Sequence, residues 1–99
     1  MSAAALVMTE LERLLQEERA AVLRLDSQTL DDLAVRKEAV LARLTSTPFD
    51  ASHKERLAEV VAQLKSNCLL LVHARDLTKS LLTTIAGDAR RGVHVSVNG

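Results

Sequence analysis

One stretch of the chain, residues 66–82, places potentially reactive side chains inside an apolar segment. It reads SNCLLLVHARDLTKSLL and contains Cys68, His73, Arg75 and Asp76. A cysteine can act as a nucleophile or a metal ligand, and a histidine can carry a proton or a phosphoryl group. Each of these functions needs partner residues at a suitable spacing. The rest of the sequence therefore decides between a reactive site and a surface that binds another helix.

The histidine spacing does not favour a metal site or phosphotransfer. His53, His73 and His94 are separated by 20 and 21 positions, and none lies three or four residues from another histidine or from Cys68. Metal ligands on a helix need such short spacings, so we expect no metal. Phosphotransfer domains also place a histidine on a bundle helix, but Asp76 and Leu77 stand where their lysine and glycine would follow. His73 is expected to face solvent, with histidine phosphotransfer as a distant alternative.

The remaining candidates for catalysis also have structural interpretations. Glu17 with Glu18, and Asp31 with Asp32, are neighbours on helices, so their side chains diverge by roughly 100° and cannot share a proton. We interpret them as solvated faces. Cys68 is predicted to be a small buried hydrophobe, because lone cysteines are mostly buried. The chain has no glycine-rich phosphate loop and no HExxH, GxSxG or CxxC motif. The sequence predicts no enzyme and no cofactor.

Composition predicts an all-α protein of one domain. The 99 residues include 18 leucines but only one aromatic residue, three glycines and one proline, which favours helices over strands. The net charge is zero, and no concentrated basic face indicates nucleic acid. No signal peptide is evident, and the apolar run at residues 68–72 is far below the roughly 20 residues that span a bilayer. We therefore expect a soluble, cytoplasmic protein without membrane insertion.

Apolar periodicity predicts helices over about residues 3–25, 28–44 and 53–86. The first two stripes comprise Leu11, Leu15, Val22 and Leu25, then Leu30, Leu33, Val40, Leu41 and Leu44. Without glycine or proline between them, they form either two helices or one long bent helix. The segment TSTPFDAS, residues 45–52, is a loop, and Ser52 with Glu55 has the form of a capping box.

The third helix is predicted to be long and to carry more apolar surface than one partner covers. Gly87 is its expected C-cap, and residues 88–99 are expected to be a flexible tail with a strand-like alternation at Val93, Val95 and Val97. Leu70, Leu77, Leu81 and Val60 are expected to lie beside the packing seam. The seam itself is predicted to comprise Leu57, Val61, Leu64, Cys68, Leu71, Arg75, Thr78, Leu82 and Ile85.

Three polar residues interrupt the predicted stripes: Glu18, Asn67 and Arg75. One interpretation is that their stems pack and their polar heads reach water. The other is that they fix the register or form ion pairs across helices. The first interpretation is favoured here. The fold prediction is an elongated antiparallel helical hairpin or three-helix bundle, residues 1–87, followed by the tail.

The sequence resembles the FlgN-type flagellar export chaperones. Residues 11–44, LERLLQEERAAVLRLDSQTLDDLAVRKEAVLARL, are similar to that family's first half, with an LxxLLxxE opening and a K-x-x-[LV]-L-x-x-L run at Lys37, Val40, Leu41 and Leu44. Asn67, the apolar stretch 69–72 and Arg75 are similar to its third helix. The resemblance extends over nearly the whole chain.

The resemblance implies a bacterial cytoplasmic chaperone that binds hook-filament junction (hook-associated) proteins and delivers them to the flagellar type III export gate. It also implies client binding through the C-terminal half of the third helix and the tail. Family members often present a tyrosine towards the gate, whereas this chain has none, so an export-gate component is only a secondary expected partner. The partner-binding residues expected on this basis are Leu70, Leu77, Leu81, Leu82, Ile85, Val93 and Val95.

Two hypotheses from different classes follow. The first is an export chaperone, monomeric or weakly dimeric, that exchanges its client. The second is a structural coiled-coil or helical-bundle subunit whose extra apolar face is a permanent seam in a larger assembly. Dilution separates the two, because a permanent assembly persists at nanomolar concentration.

Overall fold

The computed structural model describes the backbone of residues 2–98 and the side chains of residues 2–87. It contains three α-helices: α1 (Ala3–Leu23), α2 (Ser27–Ser46) and α3 (Lys54–Asn98). A short 3-10 turn at Ala51–His53 precedes α3. Between residues 2 and 98 the backbone forms no strand. The predicted all-α class and three-helix arrangement are therefore confirmed.

A tight turn at Leu25 separates α1 from α2, which answers the question that the sequence left open. The Leu25 N–H donates to Val22 O and the Asp26 N–H to Ala21 O, both at 3.0 Å, which is the hydrogen-bond pattern of a Schellman motif. Leu25 has φ 56° and occupies the left-handed position that usually holds glycine. Asp26 then caps α2, because its Oδ1 accepts the Thr29 N–H at 3.1 Å. Leu25 is 74% exposed, so its predicted place in the α1 stripe was wrong.

Helix α1 is the centre of the bundle and packs against both other helices. Its apolar residues cover more than one side of the helix, so α2 and α3 can bury it together. Leu30, Leu41, Leu44, Phe49, Leu57 and Leu64 pack around the buried set. The buried apolar residues are Ala4, Val7, Met8, Leu11, Leu14, Leu15, Ala21 and Val22 of α1, Leu33 and Val40 of α2, and Val60 of α3.

Ion pairs on the surface show the direction of each helix. Arg43 lies 2.7 Å from Glu10, and Arg36 lies 3.6 Å from Glu17, so α2 runs antiparallel to α1. Contacts between α1 and α3 progress towards the C-terminus of both helices together. Ser2 lies near His53 at one end, and Arg19 lies near Ser66 further along. The three helices therefore run up, down and up, and α3 is parallel to α1.

The start of α3 differs from the predicted cap. Asp50, not Ser52, caps the turn, because its Oδ1 accepts the Ser52 N–H at 2.9 Å. His53 completes this capping box, since its Nδ1 accepts the Asp50 N–H at 3.4 Å. The predicted box of Ser52 with Glu55 was wrong because the 3-10 turn begins three residues before α3, and aspartate is a strong N-cap.

The packing side of α3 agrees with the predicted seam at Leu57, Leu64 and Leu71, but it differs by one residue at the positions between them. Val60 and Asn67 are buried, whereas Val61 and Cys68 are exposed. The predicted seam placed Cys68 on the packing side and treated Asn67 as an interruption, although an amide can be buried when its hydrogen bonds are satisfied. The residues that face the bundle are Leu57, Val60, Leu64, Asn67, Leu71 and Ala74.

Helix α3 is much longer than the helices that it packs against. Its 45 residues extend about 68 Å, against about 32 Å for the 21 residues of α1. The molecule measures 69 × 22 × 19 Å, so the C-terminal half of α3 projects beyond the turn at Leu25. No described glycine has a positive φ, and the helical backbone continues through Gly87, which is not the predicted C-cap. The predicted flexible tail, with Val93 and Val95, lies outside the described side chains.

Candidate functional site

A buried polar cluster joins the three helices at the end of the bundle from which α3 projects. Glu18 of α1 and Asn67 of α3 are both 2% exposed. Lys37 of α2 donates from Nζ to Glu18 Oε2 at 2.6 Å, and Asn67 Nδ2 donates to Glu18 Oε1 at 3.1 Å. Both carboxylate oxygens are therefore occupied. This arrangement satisfies a buried charge that would otherwise strongly oppose folding.

The Asn67 side chain is held from two sides. Its Nδ2 also donates to the Leu15 carbonyl oxygen at 2.7 Å. Its Oδ1 accepts from Arg19 Nε at 3.1 Å, while Arg19 also donates to Ser66 Oγ at 2.6 Å. Within residues 2–87 no buried side-chain nitrogen or oxygen lacks a hydrogen-bond partner. The amide thus fixes the position of α3 along α1.

The favoured interpretation of the polar interruptions was wrong for Glu18 and Asn67. Their polar groups do not reach water but bond to neighbouring helices, as the alternative interpretation proposed. Glu18 is also not the solvated residue that its pairing with Glu17 suggested. Arg75, the third interruption, is exposed, so the favoured interpretation holds for it alone. The presence of Lys37 on the buried side of α2 was the available signal for an ion pair with Glu18.

Beside this cluster, an open groove lies between the projecting part of α3 and the α1–α2 turn. Its volume is about 990 Å³. We call it the α3 groove. Glu18 and Lys37 lie at its α1 and α2 edge, and Arg75 and Lys79 line it from α3. Its larger apolar residues are Val22, Leu25, Leu30, Leu71, Leu81 and Leu82.

The predicted partner-binding residues divide between the groove and the outer surface of α3. Leu81 and Leu82 line the groove, and both are more than half exposed. Leu77 and Ile85 are exposed outside the groove lining, and Leu70 is half-buried. Sequence reasoning missed Leu25 and Leu30, which form the opposite side of the groove, because the turn that brings them there was not predicted.

Cys68 and His73, the potentially reactive residues of the segment 66–82, lie five residues apart on α3. Both are exposed on α3, so the prediction that Cys68 is a buried hydrophobe was wrong. Asn67 occupies the buried position next to it. Among residues 2–87, no group of three or more histidine, cysteine, aspartate or glutamate side chains is placed to hold a metal ion. No helix in the described part of the chain is long and apolar enough to cross a membrane.

A Ser–His–Asp arrangement at the other end of the bundle is a structural contact. Ser2 Oγ lies 3.3 Å from His53 Nε2, and His53 Nδ1 lies 3.1 Å from Asp50 Oδ1. Ser2 also caps α1 by accepting the Ala5 N–H at 3.1 Å. The α3 groove lies at the opposite end of α1, away from this cluster. We interpret it as a link between the starts of α1 and α3.

Two capping aspartates have shifted acidities. Hydrogen bonds from the Thr29 side chain and backbone N–H lower the pKa of Asp26 below its ordinary value of 3.8. Hydrogen bonds from the Ser52 side chain and backbone N–H lower the pKa of Asp50 in the same way. Each donor stabilises the ionised carboxylate. These shifts belong to helix ends and not to the groove.

The fold and the groove define a class of protein: a three-helix bundle whose third helix projects and carries exposed leucines. Comparison of the chain with known protein families, characterised proteins and solved structures finds no match. The function must therefore be argued from the groove and from the residues that line it.

Proposed function

We propose that the protein is a small FlgN-type export chaperone. It would bind the C-terminal segment of hook-filament junction proteins in the bacterial cytoplasm, keep them unassembled, and deliver them to the flagellar type III export gate. The observation that carries this proposal is the projecting half of α3, whose leucines are exposed beside a groove. Exposed apolar patches of this kind mark binding surfaces.

The α3 groove has a shape suited to a helical segment. One side is α3 and the other is the α1–α2 turn, so an amphipathic helix can lie between them with its apolar side inward. Fully burying a leucine contributes about 1.5–3 kcal/mol. Leu81 and Leu82 together would contribute several kcal/mol, part of which is offset by the cost of ordering the client. Such a balance supports binding that can be reversed at the export gate.

The proposed activity requires no chemical step. A client segment held in the groove has its own apolar side covered, so it cannot pair with other copies of the client. Release then needs only competition for the same surface. The Glu18–Lys37–Asn67 cluster holds α3 beside the α1–α2 turn and so preserves the groove in the absence of the client.

The rival function, a structural subunit of a larger assembly, is favoured by the length of α3. A helix of 45 residues with exposed Leu77 and Ile85 outside the groove could form a lasting seam with another helix. Sedimentation at decreasing concentration distinguishes the two functions. A structural subunit stays assembled at nanomolar concentration, and a chaperone separates into monomers.

The test is recovery of bound proteins from a flagellated bacterial lysate, identified by mass spectrometry. The parent protein is compared with Leu81→Asp/Leu82→Asp, which places charge in the groove. The matched control is Leu6→Asp/Val35→Asp, since both residues are exposed apolar positions outside the groove. Circular dichroism checks that all three proteins remain helical.

Recovery of hook-associated proteins by the parent and the control, but not by the groove variant, is the expected result. Equal recovery by all three would contradict the groove as the client site. Recovery of only further copies of the chain, or of one constant partner, would favour the structural subunit. A separate variant, Leu77→Asp/Ile85→Asp, tests whether the client also covers the outer surface of α3.

A further inference from the structure

The charged residues that line the α3 groove include more cations than carboxylates. Lys37, Arg75 and Lys79 are the cations of the lining, and Glu18 and Asp31 are its carboxylates. Glu18 is not available to a ligand, because its two oxygens accept from Lys37 and Asn67. Asp31 is then the only lining carboxylate outside the buried cluster, against two cations on α3.

The charge of Lys37 is matched by Glu18, but Lys37 keeps N–H donors that the pair does not use. An ammonium group has three N–H donors, and within residues 2–87 the only hydrogen bond from Nζ goes to Glu18. Arg75 and Lys79 are exposed and form no ion pair with another residue of that range. The α3 side of the groove is therefore positive, next to an apolar lining.

We propose that the segment bound in the α3 groove is an amphipathic helix with acidic side chains along the flank that faces Arg75 and Lys79. This inference rests on the proposed function and specifies the chemistry of the bound segment. Its apolar side contacts Leu71, Leu81 and Leu82. Its acidic flank pairs with the two cations of α3, where neighbouring apolar surface reduces the screening by water.

A second copy of this chain is a poorer occupant. In a symmetric dimer the same surface patch of each copy meets its equivalent. Both patches would then carry the same excess of positive charge from Arg75 and Lys79. Like charges that face each other oppose association. Charge complementarity thus selects a different chain with acidic groups.

The experiment measures binding of three fluorescent synthetic helical peptides of 18 residues to the full chain. They share one leucine stripe and differ only in the flanking residues, which are glutamate, glutamine or lysine. Fluorescence anisotropy gives each dissociation constant at about 50 and 300 mM salt. The test variant is Arg75→Glu/Lys79→Glu. The matched control is Lys54→Glu/Lys65→Glu, which changes the net charge equally at exposed positions of α3 outside the groove.

The glutamate peptide is expected to bind about tenfold more tightly than the glutamine peptide, since each charge pair contributes severalfold. The preference should weaken in high salt, reverse towards the lysine peptide in the test variant, and persist in the control. Three results would overturn the proposal: equal binding of all peptides, no binding of any, or a salt-stable dimer unaffected by the test variant. Equal binding leaves the chaperone function standing, because recovery of hook-associated proteins tests that function separately.

Discussion

Asn67 Nδ2 of α3 lies 3.1 Å from Glu18 Oε1 of α1, and both side chains are buried. The bond crosses the interface between two parallel helices whose other packing contacts are largely leucine and valine. Apolar side chains tolerate small displacements along a helix, whereas a buried hydrogen bond is satisfied in only one register. The bond therefore fixes where α3 leaves the bundle, and hence where the α3 groove forms.

Removing the Glu18 carboxylate is expected to destabilise the protein strongly. Glu18→Ala leaves Lys37, which is only 16% exposed at its side chain, without its ion-pair partner and leaves one Asn67 donor unpaired. We expect a loss of about 3 kcal/mol in the free energy of unfolding, measured by urea denaturation. Glu17→Ala is the control, because its pair with Arg36 is exposed at 3.6 Å and its loss should change stability by less than about 0.5 kcal/mol. Equal effects of the two variants would contradict a structural role for the cluster.

Replacing all three cluster residues with leucine tests separately how the cluster affects the stability of the fold and the register of α3 against α1. The triple variant Glu18→Leu/Lys37→Leu/Asn67→Leu removes the ion pair and the amide together. Arg19, which loses its bond to Asn67 Oδ1, is exposed and can bond to water. We expect stability within about 2 kcal/mol of the parent or above it, because apolar residues often replace buried ion pairs without loss. The binding of the glutamate-flanked peptide should nevertheless weaken, since the position of α3 is less well fixed. Unchanged peptide binding would show that register does not depend on the cluster.

The left-handed residue at the α1–α2 turn offers a stabilising substitution. A side chain at φ 56° costs about 1–2 kcal/mol relative to glycine, so Leu25→Gly is expected to stabilise the fold by about 1 kcal/mol. Thermal unfolding followed by circular dichroism should show a midpoint about 4–8 °C higher. Leu23→Gly, two residues earlier but inside α1, should instead destabilise the protein by about 1 kcal/mol. A lower midpoint for Leu25→Gly would contradict the assigned turn geometry.

The lowered pKa values of the capping aspartates predict that the protein loses stability in acid. Because the pKa of Asp26 is lower in the folded state than its ordinary value of 3.8, the unfolded chain binds the proton first as the pH falls. The stabilisation is complete above the unfolded pKa and is lost as the pH falls through the lower folded pKa. Urea denaturation from pH 6 to pH 2.5 should show this loss. Asp26→Asn keeps a capping oxygen and should reduce the dependence of the unfolding free energy on pH. Asp32 does not cap α2, so Asp32→Asn provides the control.

The exposure of Cys68 can be checked directly. Its thiol is expected to react with a disulfide reagent in the folded protein at a rate similar to that in urea, because no unfolding step is needed to reach it. Cys68→Ser should change the free energy of unfolding by less than about 0.5 kcal/mol. Strong protection of the thiol in the folded protein would restore the predicted buried position of Cys68 and contradict the observed seam of α3.

The helices themselves could be predicted because leucine periodicity depends only on local sequence. The first two helices begin and end within about two residues of their predicted bounds, and α1 buries Leu11 and Leu15 as expected. The α1–α2 turn could not be predicted, because Leu25 takes a backbone conformation that leucine rarely adopts. The buried position of Asn67 in α3 was missed for a related reason. Asn67 is polar by type, and only its contacts with α1 explain its burial.

The candidate site was predicted in part. The leucines of α3 were recognised from their number and spacing, and Leu81 and Leu82 do line the groove. The other side of the groove depends on tertiary structure, since Leu25 and Leu30 are far from Leu82 in sequence. The cationic side of the groove was missed for the same reason: Arg75 was considered as a seam residue, and Lys79 was not considered.

The parallel arrangement of α1 and α3 has a practical consequence for binding experiments. Ser2 lies beside His53 at one end of the bundle, and the α3 groove lies beyond the other end of α1, about 30 Å away. A biotin or affinity tag joined ahead of Ser2 would attach the molecule to a sensor surface with the projecting half of α3 pointing into solution. Surface plasmon resonance in this orientation leaves the groove open to peptides from solution, whereas random coupling through lysines would modify the exposed Lys79 of the groove lining.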